Sequence, residues 1–319
     1  MNAPRLQRPR IVRRAVHGVL LLDKPVGLSS NDALQKAKRL YRAEKAGHTG
    51  TLDPLASGLL PLCFGAATKF SQASLDADKR YLATLHLGQT RRGGDLEGEV
   101  LVTRPVNVSR ESLRAACDRF TGEIAQTPPM HSALKHEGKA LYEYARAGVE
   151  VEREPRRVRI HAIDIVDGDH ERWTLDVRCS KGTYIRTLAE DIGEALGCGA
   201  HLAALRRSGS GALTLDRAVT LEALEAMTEA ERDAQLLDAD ALLADCPAVR
   251  LGAEDAARFL AGMRRRLALA DAPQVRVFGP EPRAFLGAGH IVAGELISTR
   301  LLSPTEVQGL VTERSERTA

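Results

Sequence analysis

The sequence predicts an α+β fold with a mixed, largely antiparallel sheet flanked by helices, and a smaller, mainly β unit at the C-terminal end. One observation is that segments with the apolar alternation of strands lie between segments with helix-capping signals. A second is that two predicted strands are separated only by an Asp-Gly-Asp turn, which indicates an antiparallel pair. The length of 319 residues favours two domains over one.

The first elements follow from short apolar runs and turn residues. Residues 19–22 are all apolar and predict a short buried strand, which the turn at residues 23–27 ends. Ser30 or Asn31 then provides an N-cap for a helix that runs to about Tyr41. Apolar residues alternate over residues 80–87, which predicts a half-buried strand with Tyr81 on its apolar face.

The middle of the chain combines a helix, a hairpin and a second helix. Ser109 caps a helix that Gly122 and the following prolines end. Residues 158–166 and 173–179 predict paired strands around the turn at residues 167–169. A helix is predicted from residue 183 to residue 196, because apolar residues recur there with a spacing of four.

The C-terminal third begins with an acidic, Ala- and Leu-rich region in which Thr228 and Glu231 form a capping box. Pro247 ends this region and marks a domain boundary. Beyond it we expect a helix over residues 253–263 and strands over residues 275–278, 284–286 and 295–302. The predicted organisation is a flexible basic tail (1–16), a main domain (17–246) and a small C-terminal domain (247–319).

The composition is that of an ordinary globular protein, with 44% hydrophobic and 27% charged residues. The net charge of +3 fits a nucleic-acid partner without requiring one. Charge is unevenly distributed, because residues 1–16 contain five arginines and no acid, whereas residues 222–245 are rich in Glu and Asp. A mitochondrial presequence has a composition similar to residues 1–16, but a basic tail is the preferred interpretation.

Several classes of protein are disfavoured by the residues that are missing. No apolar run reaches the length of a membrane span, and the N-terminus lacks a secretory signal, so no membrane association is expected. The five cysteines are scattered and include no Cys-x-x-Cys pair, which indicates reduced thiols in the cytoplasm. The nine histidines show no metal-ligand spacing, and we expect neither a metal nor a cofactor.

The segment GHTGTLDPLASGLL, residues 47–60, is the most informative part of the chain. Its glycines and Pro54 enforce a tight, non-helical path around one carboxylate, Asp53. Loops of this kind on a rigid scaffold often carry catalytic groups. Taken alone, however, the segment is more typical of an Asx-turn in which Asp53 hydrogen-bonds its own backbone.

Together with other motifs, this segment resembles the bacterial tRNA pseudouridine-55 synthases. The similarity extends from about Gly18 to Leu221. It is carried, in the family's order, by GHTGTLDPLASGLLP, ATKFSQ, KRY, PPMHSALKHEGKALYEYAR, KGTYIRTLAEDIGEALG and HLAALRR. The resemblance implies a pseudouridine-synthase core, a PUA-like RNA-binding domain over residues 247–319, and conversion of uridine 55 to pseudouridine in the T-loop of tRNA.

The resemblance also implies roles for individual residues. Asp53 is the expected nucleophile, and Arg186 matches the cation that keeps it ionised, although Arg186 could instead form a surface pair with Glu190. Tyr81 matches the aromatic ring that stacks on the target uracil, although it could also only close a strand edge. His48 matches the residue that fills the gap left by a flipped nucleotide, although a turn-capping role fits equally well.

Five further residues complete the expected substrate site. Tyr184 lines the pocket and relays the proton from C5, and Leu205 forms an apolar wall. Lys24, Lys69 and Arg207 contact phosphates or support the pocket, although a lysine of this kind is often only solvated.

The chemistry itself needs one carboxylate. The C1′–N1 bond must break and a C1′–C5 bond must form while the uracil is retained. Asp53 can attack the sugar, promote glycal formation by removing a C2′ proton, or, as a less favoured route, attack C6 of the base. The sequence does not select among these routes, and none needs a cofactor.

The chain departs from the family's pattern at two places. Residues 90–94 read TRRGG where the family is usually Thr-rich, and His131 replaces a Tyr or Phe. The first departure adds charge, which favours binding to the RNA backbone, and puts the usual side-chain contacts there in doubt. Neither affects Asp53 or Arg186.

Two other functions were considered. One is a tRNA-folding chaperone in which binding matters more than chemistry, and the other is a guide-RNA-dependent synthase acting on ribosomal RNA. The motifs favour an enzyme that binds the T-arm and loop of tRNA without a guide RNA. Nothing in the sequence demands a dimer or an obligatory protein partner, so a monomer is expected. Its RNA binding should weaken steeply with salt.

Overall fold

The computed structural model describes residues 12–280 and 284–318, with side chains described as far as Thr312. Most of the predicted basic tail, residues 1–11, lies outside the described residues. Its last part packs against the protein. Arg14 forms an ion pair with Asp233 at 2.5 Å, and Val16 is buried in the main core.

The first part of the chain forms thirteen strands and seven helices within the described residues. In chain order these are β1 (Gly18–Lys24), α1 (Ser30–Leu40), β2 (Ala46–His48), β3 (Ala56–Phe64), α2 (Ser71–Asp76), β4 (Lys79–Leu87), β5 (Gln89–Arg91), β6 (Val100–Thr103), α3 (Arg110–Arg119), β7 (Gly122–Gln126), β8 (Lys135–His136), β9 (Lys139–Ala140), α4 (Leu141–Arg146), β10 (Arg156–Asp169), β11 (Arg172–Cys179), α5 (Ile185–Ala195), β12 (Ala200–Ser210), β13 (Leu213–Thr214), α6 (Leu221–Ala226) and α7 (Glu229–Ala234). Short 3₁₀ helices cover Gly65–Phe70, Leu215–Arg217 and Ala239–Leu243.

The central sheet has the order β1-β3-β12-β4-β11-β10-β7, with β2 paired to β3 and β13 to β12. All of these pairs are antiparallel except β3 with β12, which is parallel. At that junction Gly58 lies opposite Arg207, and a Cβ on Gly58 would lie 2.3 Å from the Arg207 carbonyl oxygen. Gly58 also has φ +98°, so only glycine fits this close approach without strain.

Both faces of the sheet are buried near β1. Leu20 and Leu22 belong to the main core, which packs under α1, α3 and α5. Val19 and Leu21 point to the opposite face, where they join a second core. Burial on both faces explains why this strand reads as a continuous apolar run.

The C-terminal part forms a five-stranded sheet. Its elements are β14 (Ala248–Arg250), α8 (Ala253–Leu260), β15 (Arg265–Arg266), β16 (Ala272–Phe278), β17 (Phe285–Val292), β18 (Glu295–Leu301) and α9 (Pro304–Thr318). The sheet order is β14-β16-β17-β18-β15. Phe278 and Phe285 extend into the second core beside Val19 and Leu21, so the small sheet packs on one face of the large one.

Most predicted elements are present, with shifted ends. The N-cap of α1 is Ser29, which accepts a hydrogen bond from the Asp32 N–H, one position before the predicted cap. The β10–β11 strands continue through the predicted turn, and the chain reverses at residues 170–171, where His170 has φ +43°. The capping box at Thr228 is confirmed, but it starts a new helix after a break at Met227.

Some elements were not predicted, notably β3, β7, β12 and the C-terminal helix α9. None of the helices in the described part of the chain is long and apolar enough to span a membrane. The five cysteines are free thiols, and four of them are buried.

Candidate active site

The loop between β2 and β3 is held rigidly from several sides. The Ser30 hydroxyl accepts from the Leu52 N–H at 2.7 Å and donates to the Leu52 carbonyl at 3.0 Å, and both contacts are buried. The Gly27 N–H donates to the Pro54 carbonyl at 2.7 Å. Asp53 therefore lies between two anchored residues, and its side chain remains 36% exposed.

Arg207 bonds the start of the same loop and strand β3, which follows the loop. Its Nη2 donates to the Gly50 carbonyl at 3.1 Å, and its Nε donates to the Leu59 carbonyl at 2.7 Å. The side chain is almost fully buried, and both bonds go to backbone oxygens. Arg207 thus supports the pocket.

Arg186 forms an ion pair with Asp53, with 3.0 Å between Nη2 and Oδ2. It lies in the first turn of α5, as the sequence predicted, and only 6% of its side chain is exposed. Its two terminal nitrogens also donate to backbone oxygens, Nη1 to Gly93 at 3.2 Å and Nη2 to His131 at 2.6 Å. Since the guanidinium is planar, these contacts fix its orientation toward Asp53.

A second carboxylate, Asp95, shares this cation. Its Oδ2 lies 3.6 Å from Nη1 of Arg186, and its side chain is 10% exposed. Burial raises the pKa of Asp95, and the Arg186 charge opposes that rise. No role was predicted for Asp95, although glycines precede it in the sequence, as they precede Asp53 in its loop.

Asp53 and Arg186 border a cavity of about 270 Å³. Among the predicted site residues, the cavity is lined by Asp53, Tyr81, Tyr184, Arg186, Leu205 and Arg207. It is also lined by residues outside the predicted site, including Lys79, His131, Ser132 and Lys181. The structure therefore brings six of the nine predicted residues to one cavity.

The aromatic lining comes from two elements. Tyr81 is on β4 and is buried, which raises the pKa of its phenol, while the Arg207 guanidinium opposes that rise. Tyr184 precedes α5, where Gln126 accepts from its N–H at 3.0 Å and donates to its carbonyl at 3.2 Å. Burial also raises the pKa of Tyr184, so both phenols remain protonated at neutral pH.

Buried lysines add positive charge around the loop. Lys24 donates to the carbonyls of Pro25 and Leu28, and burial lowers its pKa to about 8, while the Asp53 charge opposes that shift. Lys79 donates to three carbonyls at the end of α2 (Ser74, Leu75 and Ala77). Burial and the neighbouring Arg207 lower the Lys79 pKa to about 8.

Three predicted residues do not line the cavity. Lys24 is fully buried behind the loop. His48 is on β2, and its buried Nδ1 has no hydrogen-bond partner among the described residues. Burial lowers the pKa of His48, and the positive charge of Arg207 lowers it further. Lys69 binds Glu306 at 2.6 Å and the Leu301 carbonyl at 3.0 Å, so the structure assigns it to the contact with the C-terminal part.

The arrangement offers one partly exposed carboxylate, a fixed cation and an aromatic wall. Among the described residues, no group of three or more His, Cys, Asp or Glu side chains is arranged to hold a metal ion. A carboxylate held in this way can act as a nucleophile or a base toward a flat, uncharged group.

Three family models match successive parts of the chain. A family model described as TruB family pseudouridylate synthase (N terminal domain) matches residues 38–185. Models described as tRNA pseudouridylate synthase B C-terminal domain and as Pseudouridine synthase II TruB, C-terminal, match residues 186–244 and 247–302. The chain is 61% identical over 304 residues to the tRNA pseudouridine synthase B of Cupriavidus pinatubonensis, covering 92% of this chain and 96% of that protein.

The chain belongs to the TruB family. A second TruB relative, the tRNA pseudouridine synthase B of Burkholderia mallei, is 60% identical over 302 residues, covering 92% of this chain and 97% of that protein. The family membership expected from the sequence motifs is thus confirmed, and with it the assignment as a pseudouridine synthase.

Solved structures confirm the predicted fold class of this TruB chain. A chain of a Cbf5-Nop10-Gar1 complex superposes with a TM-score of 0.70 at 25% identity, covering 91% of this chain and 86% of that chain. A chain of an H/ACA RNP bound to a substrate RNA containing 2′-deoxyuridine superposes with a TM-score of 0.68 at 23% identity, covering 90% of this chain and 86% of that chain.

Proposed function

We propose that this chain converts uridine 55 in the T-loop of tRNA to pseudouridine, with Asp53 as the nucleophile. The observation that carries the proposal is the 3.0 Å ion pair between Asp53 and Arg186 at the edge of a cavity walled by Tyr81. The relatives named tRNA pseudouridine synthase B support tRNA as the substrate.

The reaction breaks the C1′–N1 bond, forms the C1′–C5 bond, and moves one proton from C5 while N1 gains one. Each of the three routes given above uses an ionised carboxylate, and the Arg186 guanidinium forms an ion pair with the Asp53 carboxylate at 3.0 Å. The target base must leave its stack to reach the cavity, and Tyr81 offers a π-face worth about 1–3 kcal/mol of stacking. We assign Tyr184, on the same cavity, to the transfer of the C5 proton, and Leu205 to the apolar wall.

The remaining parts of the chain fit this function. We propose that residues 17–246 form the catalytic domain and that residues 247–319 form a PUA-like domain that binds RNA. We propose that the enzyme acts as a monomer in the cytoplasm, without a guide RNA. The four buried free thiols are in keeping with a reducing compartment.

A tritium-release assay on a tRNA transcript labelled at C5 of uridine tests the function. Wild type should release tritium without any guide RNA, and a transcript with cytidine at position 55 should release none above background. Asp53→Asn should abolish release while retaining tRNA binding, whereas the exposed control Asp118→Asn should behave as wild type. Release by Asp53→Asn at the wild-type rate would exclude Asp53 as the nucleophile.

The same variant separates modification from a chaperone function. If tRNA folding is promoted equally by wild type and Asp53→Asn, the folding activity depends on binding alone. Release of tritium by wild type would still establish the isomerase activity.

A further inference from the structure

A second cavity, outside the candidate active site, is lined mainly by cationic side chains. Its volume is about 200 Å³, and its lining residues are Arg13, Gln35, Lys38, Arg39, Arg42 and Ala43. Gln35, Lys38 and Arg39 are spaced by three and four residues, so they lie on one face at the C-terminal end of α1, and Arg42 follows just beyond the helix. We call this cavity the basic cleft.

The helix does not need these cations to satisfy its last carbonyls. The backbone N–H of Tyr41 bonds the carbonyls of Ala37 and Arg39, and the Ala43 N–H bonds the Lys38 carbonyl at 3.0 Å. Arg232, which does not line the cleft, donates from Nη1 to the Leu40 carbonyl at 2.5 Å, so backbone groups and Arg232 together close the helix end. The side-chain charges of Lys38 and Arg39 remain available to a ligand.

Carboxylates neutralise only part of the basic cleft. Arg42 forms an ion pair with Glu229. Within residues 12–280 and 284–312, no carboxylate oxygen lies within 4.0 Å of the charged nitrogens of Arg13, Lys38 or Arg39. Arg13 donates to the Ala43 carbonyl at 3.4 Å. With respect to the side chains that the structure describes, the cleft thus presents three positive charges without a carboxylate partner around one concave space.

We propose that the basic cleft binds backbone phosphates of the RNA substrate, as a second contact separate from the catalytic cavity. This inference rests on the proposed function in taking the RNA to be a tRNA. Phosphate is the expected ligand because arginine forks match its geometry and because RNA presents phosphates in a continuous row. In sequence, Arg5, Arg8 and Arg10 precede Arg13 and add to the positive charge of this segment.

The helix α1 sets the distance between the two contacts. Its first residue, Ser30, is bonded to Leu52 beside the nucleophile, whereas Arg39 lies nine residues further along. At 1.5 Å per residue this separation is about 14 Å along the helix axis. One RNA can therefore place a nucleotide in the catalytic cavity and a backbone phosphate in the basic cleft.

Salt-dependent binding of a full-length tRNA transcript tests the proposal. The double variant Lys38→Gln/Arg39→Gln removes two charges with residues that favour helices. The matched control Lys36→Gln removes one charge from the same helix but outside the cleft. Losing two phosphate contacts should reduce the slope of log Kd against log salt concentration by about 1.8, and should weaken binding by up to about sixtyfold at 0.1 M salt.

The outcomes separate cleanly. The proposal predicts binding curves that converge at high salt, a wild-type slope for Lys36→Gln, and about half the slope change for the exposed single variant Arg39→Gln. A double variant with the wild-type slope, or a control that loses as much as the double variant, would refute phosphate binding at the cleft. Circular dichroism checks that each variant is folded.

Pseudouridine formation is measured on the same samples with enzyme in excess over tRNA, above the Kd of each variant. There the control Lys36→Gln should modify at the wild-type rate, because Lys36 lies outside both the basic cleft and the catalytic cavity. Absence of modification by wild type would contradict the proposed function but would leave the binding result on the cleft intact.

Discussion

Replacing Arg186 by methionine tests whether one buried cation serves both carboxylates of the site. Methionine has a similar length but no charge, so both ion pairs and the two backbone bonds are lost together. We expect Arg186→Met to lower the free energy of unfolding and to slow pseudouridine formation. The two effects have different causes and can be measured separately.

The stability loss follows from the burial of Asp95. Its side chain is 10% exposed and that of Arg186 is 6% exposed, so removing the cation leaves a carboxylate largely shielded from water. Breaking a buried pair in this way costs about 3–5 kcal/mol. Asp53 is more than a third exposed, and water can replace its lost partner, so we expect its pair to contribute much less.

The loss of rate follows from the position of Asp53. Without Arg186 the carboxylate can turn toward solvent, and a displacement of about 1 Å reduces rates by about 10²-fold. Urea unfolding gives the stability term, and tritium release under single-turnover conditions gives the rate. Arg178→Met, on an exposed position of β11, is the matched control and should change stability by less than about 0.5 kcal/mol.

A double-mutant cycle with Asp95→Asn makes the prediction specific. In Arg186→Met/Asp95→Asn the buried charge is absent. The double variant should therefore lose about 1–3 kcal/mol less unfolding free energy than the two single variants lose in sum. Its rate should remain as low as that of Arg186→Met. Additive stability losses, or a wild-type rate for Arg186→Met, would refute the shared-cation explanation.

Two further predictions concern charge elsewhere. Burial and Asp191 raise the pKa of Glu190 to about 7 from 4.5, so the folded state keeps a proton that the unfolded state releases, and stability falls as pH rises between these values. The free energy of unfolding of Glu190→Gln relative to wild type, measured with urea, should therefore be roughly 1–3 kcal/mol higher at pH 7.5 than at pH 4.5. The same relative stability at both pH values would contradict the assignment. Lys69→Met should lose about 1–2 kcal/mol of stability through its contact with Glu306 and should modify saturating tRNA at the wild-type rate, because Lys69 lies outside the catalytic cavity. A slower reaction with unchanged stability would show that Lys69 acts in the reaction and not in the contact with Glu306.

Features that depend on neighbouring residues were predictable from the sequence. Ser109 caps α3 by accepting from the Ser112 N–H, and Thr228 and Glu231 form their capping box, because both contacts span only three residues. The alternation in β4 likewise reports which side of one strand is buried. The family motifs then linked Asp53 and Arg186, which local patterns alone leave unconnected.

Features that depend on topology were not predictable in this way. Lys69 reads as a possible phosphate contact until its partner, 237 residues away in the sequence, is brought beside it. Asp95 meets Arg186 only because the β5–β6 region folds over the start of α5. Strand β12 was missed for a different reason: irregularities near Leu202 and Arg207 shift its register and interrupt the alternation that would reveal a strand.

The parallel pairing of β3 with β12 has a consequence for the order of events during synthesis. The bond from Arg207 to the Gly50 carbonyl joins residues 157 positions apart, and the close approach at Gly58 requires the same late strand. Contacts of such long range form slowly, after local structure. In a nascent chain that ends before Arg207, the Asp53 loop therefore lacks the hydrogen bonds that hold it. Catalytic competence is acquired only after about two thirds of the protein has been translated.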